Sequence, residues 1–420
     1  MSKLEELIQK LCPNGVEYRP LGEVCEIRSG WGFPNSEQGK KSGQYPFFKV
    51  GDMNTKGNEV FMNVSNNYID EITARRLKCK PAPKGTIIFP KIGAAIGTNK
   101  KRILLIAACY DNNIMGLIPN EKILFKFLYY IMDAVDLLDF ADNSGAMPSI
   151  RKSTMLNYAI PLPPIEVQSE IVRILDNFTE LTAELTAELT ARKKQYNFYC
   201  DKLLIRNNDI SYKKVKDLAK FTYGFTDKAK DAGNVRYIRI TDIDEAGRLK
   251  HNDKKFLDLS DNNRSYLLKK GDLVMARTGA TFGKTLYFED DEPAIYASFL
   301  IKIELDNNKI LNRFYWHFSK SSLYREQANN LVSTGGQPQF NTGAIGQVVI
   351  PVPPLDVQER IVNVLDNFEA ICSDLGIGLP AEIEKRRQQY EYYRDKLLTF
   401  DRASAIIPRQ TDRQTDRQTG

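Results

Sequence analysis

The feature that most constrains this chain is that it is written twice. Residues 161–178 read PLPPIEVQSEIVRILDNF and residues 351–368 read PVPPLDVQERIVNVLDNF, 11 of 18 positions identical at an offset of 190. RKKQYNFYCDKLL at 192–204 returns as RRQQYEYYRDKLL at 386–398, 8 of 13 identical at an offset of 194. Fainter matches precede each pair. YRPLGEVCEIRSGWGF from 18 lines up with YKKVKDLAKFTYGF from 212, and FFKVGDMN at 47–54 with YIRITDID at 237–244. KGTIIFPKIGAAIG at 84–97 lines up with KGDLVMARTGATFG at 270–283, and SGAMPSI at 144–150 with TGGQPQF at 334–340. A variable block and a shared block therefore alternate twice. The period, about 190 residues, far exceeds the roughly 20–50 of solenoid repeats, so this is a duplicated module and not an array.

The shared blocks have helical spacing. Pro163 and Pro164 suit a helix start. Beyond them Ile171, Ile174 or Leu175, Phe178, Leu181, Leu185 and Leu189 recur at three- and four-residue steps. TELTAELTAELTA at 179–191 continues the stripe, so 166–204 predicts one helix near 60 Å long at about 1.5 Å per residue. The second copy, 356–399, is interrupted by Gly376, Gly378 and Pro380. Two such helices bury their stripes most simply against each other, as a coiled-coil pair. The variable blocks are mixed. TIIFP at 86–90, DLVMA at 272–276 and the alternating YIRITDI at 237–243 predict strands. LFKFLYYIMDAVDLL at 124–138 and ILNRFYWHFSKSSLY at 310–324 predict one helix each. The expected fold class is α+β: two globules, separated by two long antiparallel helices, in a pseudo-twofold duplication. The expected parts are a first globule (1–158), a central helix region (159–208), a second globule (209–348), a C-terminal helix region (349–402) and a tail (403–420). The tail ends in the repeated word Gln-Thr-Asp-Arg, which a CAGA tract encodes when read in threes. It is expected to be disordered, and the gene to end in a slippage-prone repeat. Mixed synonymous codons there would exclude that origin.

No run of 18 apolar residues occurs, so no membrane span is expected. The acidic start Met1-Ser2-Lys3-Leu4-Glu5-Glu6 does not match a secretory leader, and a cytoplasmic chain is expected. Six scattered cysteines and two histidines, His251 and His317, give no zinc spacing; most of the cysteines read as reduced core residues. His317, between Trp316 and Phe318, reads as structural. Catalytic motifs are missing as well. GATFGKT at 279–285 has three residues between its glycines where a phosphate loop needs four, and its counterpart has Thr98 in place of Lys284. Pro163-Pro164 and Pro353-Pro354 lack the Asn or Asp and the aromatic of an adenine-methyltransferase tetrad. Acid pairs such as Asp242/Asp244 and Asp290/Asp291 are ordinary in loops.

What remains is binding chemistry. A net charge of +6 permits an acidic partner without requiring one. Each variable block sets bases, aromatics and amides in or near Gly-rich turns. In the first they are Trp31, Phe33, Lys49, Lys91, Thr98, Lys100, Lys101, Arg151 and Lys152. In the second they are Tyr223, Phe225, Arg239, Arg277, Thr278, Lys284, Gln337, Gln339 and Asn341. Arginine pairs with guanine and Asn or Gln with adenine in the major groove, while lysine mostly holds phosphate. For any one of these residues a solvated or structural role is an equal reading.

At its shared blocks, its TAEL run and its opening LIQKLCPNGVEYRPLGEV, the chain resembles the specificity (S) subunit of type I restriction–modification systems, in an IC-like branch. The resemblance covers nearly the whole length. It implies a non-catalytic subunit whose two target-recognition domains each read one half of a bipartite, asymmetric double-stranded DNA sequence. It implies helices that dock two modification (methyltransferase) subunits, with restriction subunits added to the complex. S-adenosylmethionine, ATP and magnesium are then expected on those partners, and no cofactor or metal on this chain. Two departures stand out: Cys200 where the second copy has Arg394, on a helix face that could meet a partner, and the repetitive tail. Two other classes stay open, a nucleotide-binding enzyme using the 279–285 loop and a coiled-coil scaffold that does not bind DNA.

Overall fold

The protein is described here by a computed structural model covering residues 2–205, 210–333, 335–373 and 378–402. The expected disordered tail, 403–420, lies outside the described residues. Contacts divide the chain into Met1–Thr182 with Arg386–Gly420, and Ala183–Lys385. Each unit is thus one variable block closed by parts of two helical segments far apart in sequence.

The duplication is visible strand by strand. In the first unit a five-stranded sheet runs in the order Cys25–Ser29, Ile114–Pro119, Ile87–Pro90, Arg102–Leu104, Phe61–Met62. In the second, Ala219–Tyr223, Leu300–Leu305, Leu273–Ala276 and Thr285–Tyr287 repeat the first four places. A three-stranded sheet accompanies each. Tyr45–Phe48 is antiparallel to Tyr68–Ile69 and parallel to Cys109–Tyr110. Val235–Ile238 stands likewise between Phe256–Leu257 and Ala294–Tyr296. One backbone crossing recurs with them. A Cβ on Gly30 would lie 2.0 Å from the Asp111 carbonyl, and one on Gly224 2.2 Å from that of Ala297, so both places admit only glycine.

The shared blocks repeat because they make the same bonds twice. The long helix Ile165–Ile205 starts directly after the proline pair, as expected, and Leu355–Ser373 does so in the second copy. Gln168 and Gln358, both fully buried, clamp the loop that enters the neighbouring helix. The Gln168 amide accepts from Leu124 N–H at 2.9 Å and donates to the Lys122 and Pro163 carbonyls at 3.1 and 2.8 Å. Gln358 accepts from Leu311 at 2.9 Å and donates to Lys309 and Pro353 at 2.9 and 2.8 Å. Replacing Gln358 by alanine strands one buried N–H and two carbonyls, so the second unit is expected to lose about 2 kcal/mol. Urea unfolding of the full chain checks this; a loss below about 0.5 kcal/mol would mean that water takes the amide's place.

About two helical turns further, Asp176 accepts from Lys126 at 2.5 Å and Tyr130 at 2.6 Å, and Asp366 from Arg313 at 2.7 Å and His317 at 2.8 Å. Phe178 then stacks on Tyr393 at 5.4 Å, and Phe368 on Tyr199 at 5.2 Å. In the second unit Arg192 and Lys193 act on the Cys372 thiol while Tyr199 meets Phe368, so those two segments run antiparallel. His317 is structural, as expected: fully buried, bonded to Tyr196 and Asp366, and held below its ordinary pKa by burial.

Four expectations need correction. The helix expected over 310–324 is two, Asn312–Phe318 and Ser322–Leu331, because the Ser321 hydroxyl accepts from Tyr324 N–H and caps a new start. YIRITDI is not one half-buried strand. It is a fully buried strand, Val235–Ile238, and then a 3-10 turn that Asp242 closes on Arg239. The stripe on the long helix is buried at Ile171 and Leu175, but Leu181 is 45% exposed, since each TAEL turn offers a single leucine. Cys200 does not face outward; it is 1% exposed and packed in the second unit's core. All six cysteines are free and buried. Gly376 lies outside the described residues, while Gly378 and Pro380 open the last helix, Leu379–Leu398. No helix among the described residues is long and apolar enough to cross a membrane.

Candidate nucleic-acid interface

In the first unit the strand Ile87–Pro90 delivers Lys91 to the sheet's end. Its N–H donates to Asn113 O, and its carbonyl accepts from Ile150 N–H, both at 2.8 Å. Its amine donates to Ser29 Oγ at 3.0 Å, and partial burial lowers its pKa. Those backbone bonds bring Lys91 beside Arg151 and Lys152, which follow Ile150 and are exposed. Arg151 pairs with Asp142. Lys49 and Lys100 stand at the two ends of the turn Val50–Asn54. Lys49 donates to Gln38 at 3.0 Å and Lys100 bonds Asn54. Trp31 is half-buried, its ring 5.6 Å from Tyr110, and Phe33 stacks on Phe47 at 3.8 Å. Thr98 is exposed and bonded to the Ala95 carbonyl.

The second unit places the same bonds with other side chains. Arg277 follows Leu273–Ala276 as Lys91 follows its strand, donates its N–H to Phe299 O and accepts from Phe340 N–H. Its guanidinium donates through Nε to Ser298 O at 2.9 Å and through Nη1 to Gln339 Oε1 at 3.3 Å. Its Cζ stands 5.3 Å from the Tyr223 ring and 5.5 Å from that of Phe299. The Tyr223 hydroxyl lies 3.3 Å from Thr342 Oγ1. Gln337 Nε2 reaches to 3.3 Å of the Cβ position over Gly279. Tyr223, Arg277, Gln337, Gln339 and Asn341 therefore form one cluster. Phe299, 52% exposed, completes it. Sequence reasoning passed over Phe299 because YASFLIKI reads as one apolar run; the signal was an aromatic in the tight turn between two strands.

Some candidates lie away from any surface. Lys101 is 2% exposed and bonded to Asn99 Oδ1 at 2.7 Å and to the Val135 carbonyl; burial lowers its pKa to about 8. Thr278 is 1% exposed. As placed, neither can touch DNA. Asn341 caps the helix Thr342–Gln347 by accepting from Ala344, which leaves only its amide NH2 outward. Arg239 is tied to Asp242 and Asp253. Phe225 packs on Tyr266 at 5.4 Å.

Lys284 pairs with Glu245 at 2.7 Å, and GATFGKT runs from a 3-10 turn, Gly279–Thr281, into the strand Thr285–Tyr287. A phosphate loop must open a helix whose amides point at the anion. This one does not, and the nucleotide-binding alternative loses its site.

Known proteins share both the sequence and this architecture. The family described as "Type I restriction modification DNA specificity domain" matches residues 13–192 and again 207–385. The specificity subunit of the type I restriction enzyme EcoR124I/EcoR124II of Escherichia coli is 27% identical over 443 residues, 97% of this chain and 99% of its own. Among solved structures, the S subunit of a type I restriction–modification system of M. genitalium has a TM-score of 0.50 at 16% identity, covering 91% of this chain and 95% of that one. A chain solved in work on complex assembly and conformational transition of the type I R-M system has a TM-score of 0.60 at 13% identity, covering 92% and 98%.

Proposed function

Since this chain belongs to the family of type I restriction–modification DNA specificity subunits, we propose that it selects the DNA sequence on which a modification and restriction complex acts. Each unit reads one half of a bipartite, asymmetric target through the turns around Lys91 or Arg277. The shared helical segments dock two modification subunits, and restriction subunits join that assembly. S-adenosylmethionine, ATP and magnesium belong to those partners.

The observation that carries this reading is one backbone frame with two sets of side chains. Ser29, Lys91, Asn113 and Ser149 in the first unit stand where the second has Tyr223, Arg277, Phe299 and Gln339. A fixed frame with exchanged tips fits two readers of different half-sites. The same frame fits a partner that docks twice in the same way.

The long helix supplies the test. One added TAEL unit lengthens it by about 6 Å at roughly 1.5 Å per residue, against roughly 3.4 Å per base pair. The insertion variant, expressed with its modification partner, is expected to methylate a target whose unread gap is one or two base pairs longer, with both half-sites unaltered. Mapping of methyladenine across the host genome checks this. An unchanged gap would show that the helix does not set the spacing.

A further inference from the structure

Resting on that reading, we propose that Arg277 is a pre-organised guanine reader, which commits the half-site of the second unit to a G·C pair that the first unit has no equivalent means to demand. Two aromatics stand exposed beside Arg277. Phe299 is 52% and Tyr223 43% exposed, and the Arg277 guanidinium lies within 5.5 Å of both ring centres. Rings at that distance hold a cation in place without using its N–H groups. The Ser298 carbonyl takes Nε and Gln339 takes one hydrogen of Nη1. The second Nη1 hydrogen and the Nη2 hydrogens meet no acceptor among the described residues. No carboxylate among the described residues pairs with Arg277, unlike Arg151, Arg239 and Lys284. What remains outward is an end-on fork of two N–H donors, the shape that matches O6 and N7 of guanine in the major groove.

The first unit has the same frame and none of these supports. Its cation is Lys91, a point charge bound to Ser29, and the place of Phe299 is taken by Asn113. Lysine there lacks the planar fork, so guanine selection by this route belongs to the second unit alone.

The test uses the assembled complex with its modification subunits. First the methylated motif of the wild-type complex is mapped. Then its DNA is rebuilt with 7-deazaguanine, which lacks the N7 acceptor, at one guanine at a time. One guanine in one half-site is expected to weaken binding about tenfold when so replaced. Arg277→Ala is expected to abolish that sensitivity and to make the same position degenerate in the methylated motif. Arg277→Lys, which keeps the charge but not the fork, should lose the sensitivity as well. A wild-type complex indifferent to every 7-deazaguanine would overturn the proposal even if no variant folds. So would a sensitivity that persists in Arg277→Ala. A uniform loss across all sequences, with a shallower salt dependence, would make Arg277 a phosphate contact and also overturn it. If the wild-type complex methylates no bipartite motif, the specificity reading itself fails, which is a distinguishable result.

Discussion

Exchanging Arg394 for cysteine, the residue its counterpart position carries, is expected to destabilise the first unit by about 3 kcal/mol, although the second unit bears Cys200 there. The two copies close the same joint with opposite charges. In the first, Arg394 donates to Asp133 at 3.0 Å, and Tyr390 donates to the same carboxylate at 2.9 Å. In the second, the place of Asp133 is held by Lys320, so an arginine at position 200 would meet a like charge. Cys200 lies there instead, and Lys320 turns to Glu369 at 3.5 Å. Glu369 has the position that Thr179 has in the first copy. Arg394→Cys therefore leaves Asp133 half-buried with only Tyr390. Adding Asp133→Lys alone is not expected to rescue it, because Thr179 stands where the second unit has the Glu369 that holds Lys320. Adding Thr179→Glu as well rebuilds the second unit's arrangement and should recover most of the loss. Hydrogen exchange over Phe125–Ala134 reads the first unit separately from Asn312–Phe318 in the second. Full rescue by the double variant would show that the joint is not a coupled set.

The second unit's stability is expected to rise by about 2 kcal/mol between pH 7 and pH 9, and Lys320→Met to remove that rise. Burial lowers the Lys320 amine from its ordinary 10.5 to about 7. Glu369 and Cys200 oppose that shift, while Arg313 and Arg248 add to it. The ammonium also sits 3.1 Å from the centre of the Trp316 ring and 5.8 Å from that of Tyr196. The sign follows from proton counts. Between about 7 and 10.5 the unfolded chain holds a proton that the folded chain has released, so stability grows with pH through that window. Below pH 7 the full penalty of burying the charge remains. Lys320→Met should thus be more stable than the wild type at pH 6 and flatter above it. Glu369 keeps Arg248 as its partner in that variant. Urea unfolding at a series of pH values checks both parts. Stability that falls from pH 7 to pH 9 would mean the ammonium is held by its neighbours and stays charged.

These joints explain what was legible in the sequence. Gln168 and Gln358, Asp176 and Asp366, and Phe178 and Phe368 recur because each makes the same bond to its own globule. Repetition therefore revealed the architecture before any strand was placed. Side-chain direction was not legible. Lys101 and Thr278 stand in basic, Gly-rich stretches like their neighbours, and only the folded backbone turns them inward. Cys200 was misjudged for a related reason: its counterpart is charged, but the partner that makes the charge useful, Asp133, lies 261 residues away in sequence from Arg394. The Arg277 cluster was half visible. Its residues were named singly, and the turn that adds Phe299 was hidden in an apolar run.

The most direct test of the central claim is a methylation map. The chain is expressed with its modification partner in a host free of adenine methylation, and every methylated adenine in the genome is located. The account predicts one bipartite motif, two unlike half-sites separated by a gap of constant length. A stable complex that leaves the genome unmethylated, or one that methylates a single uninterrupted sequence, would contradict it.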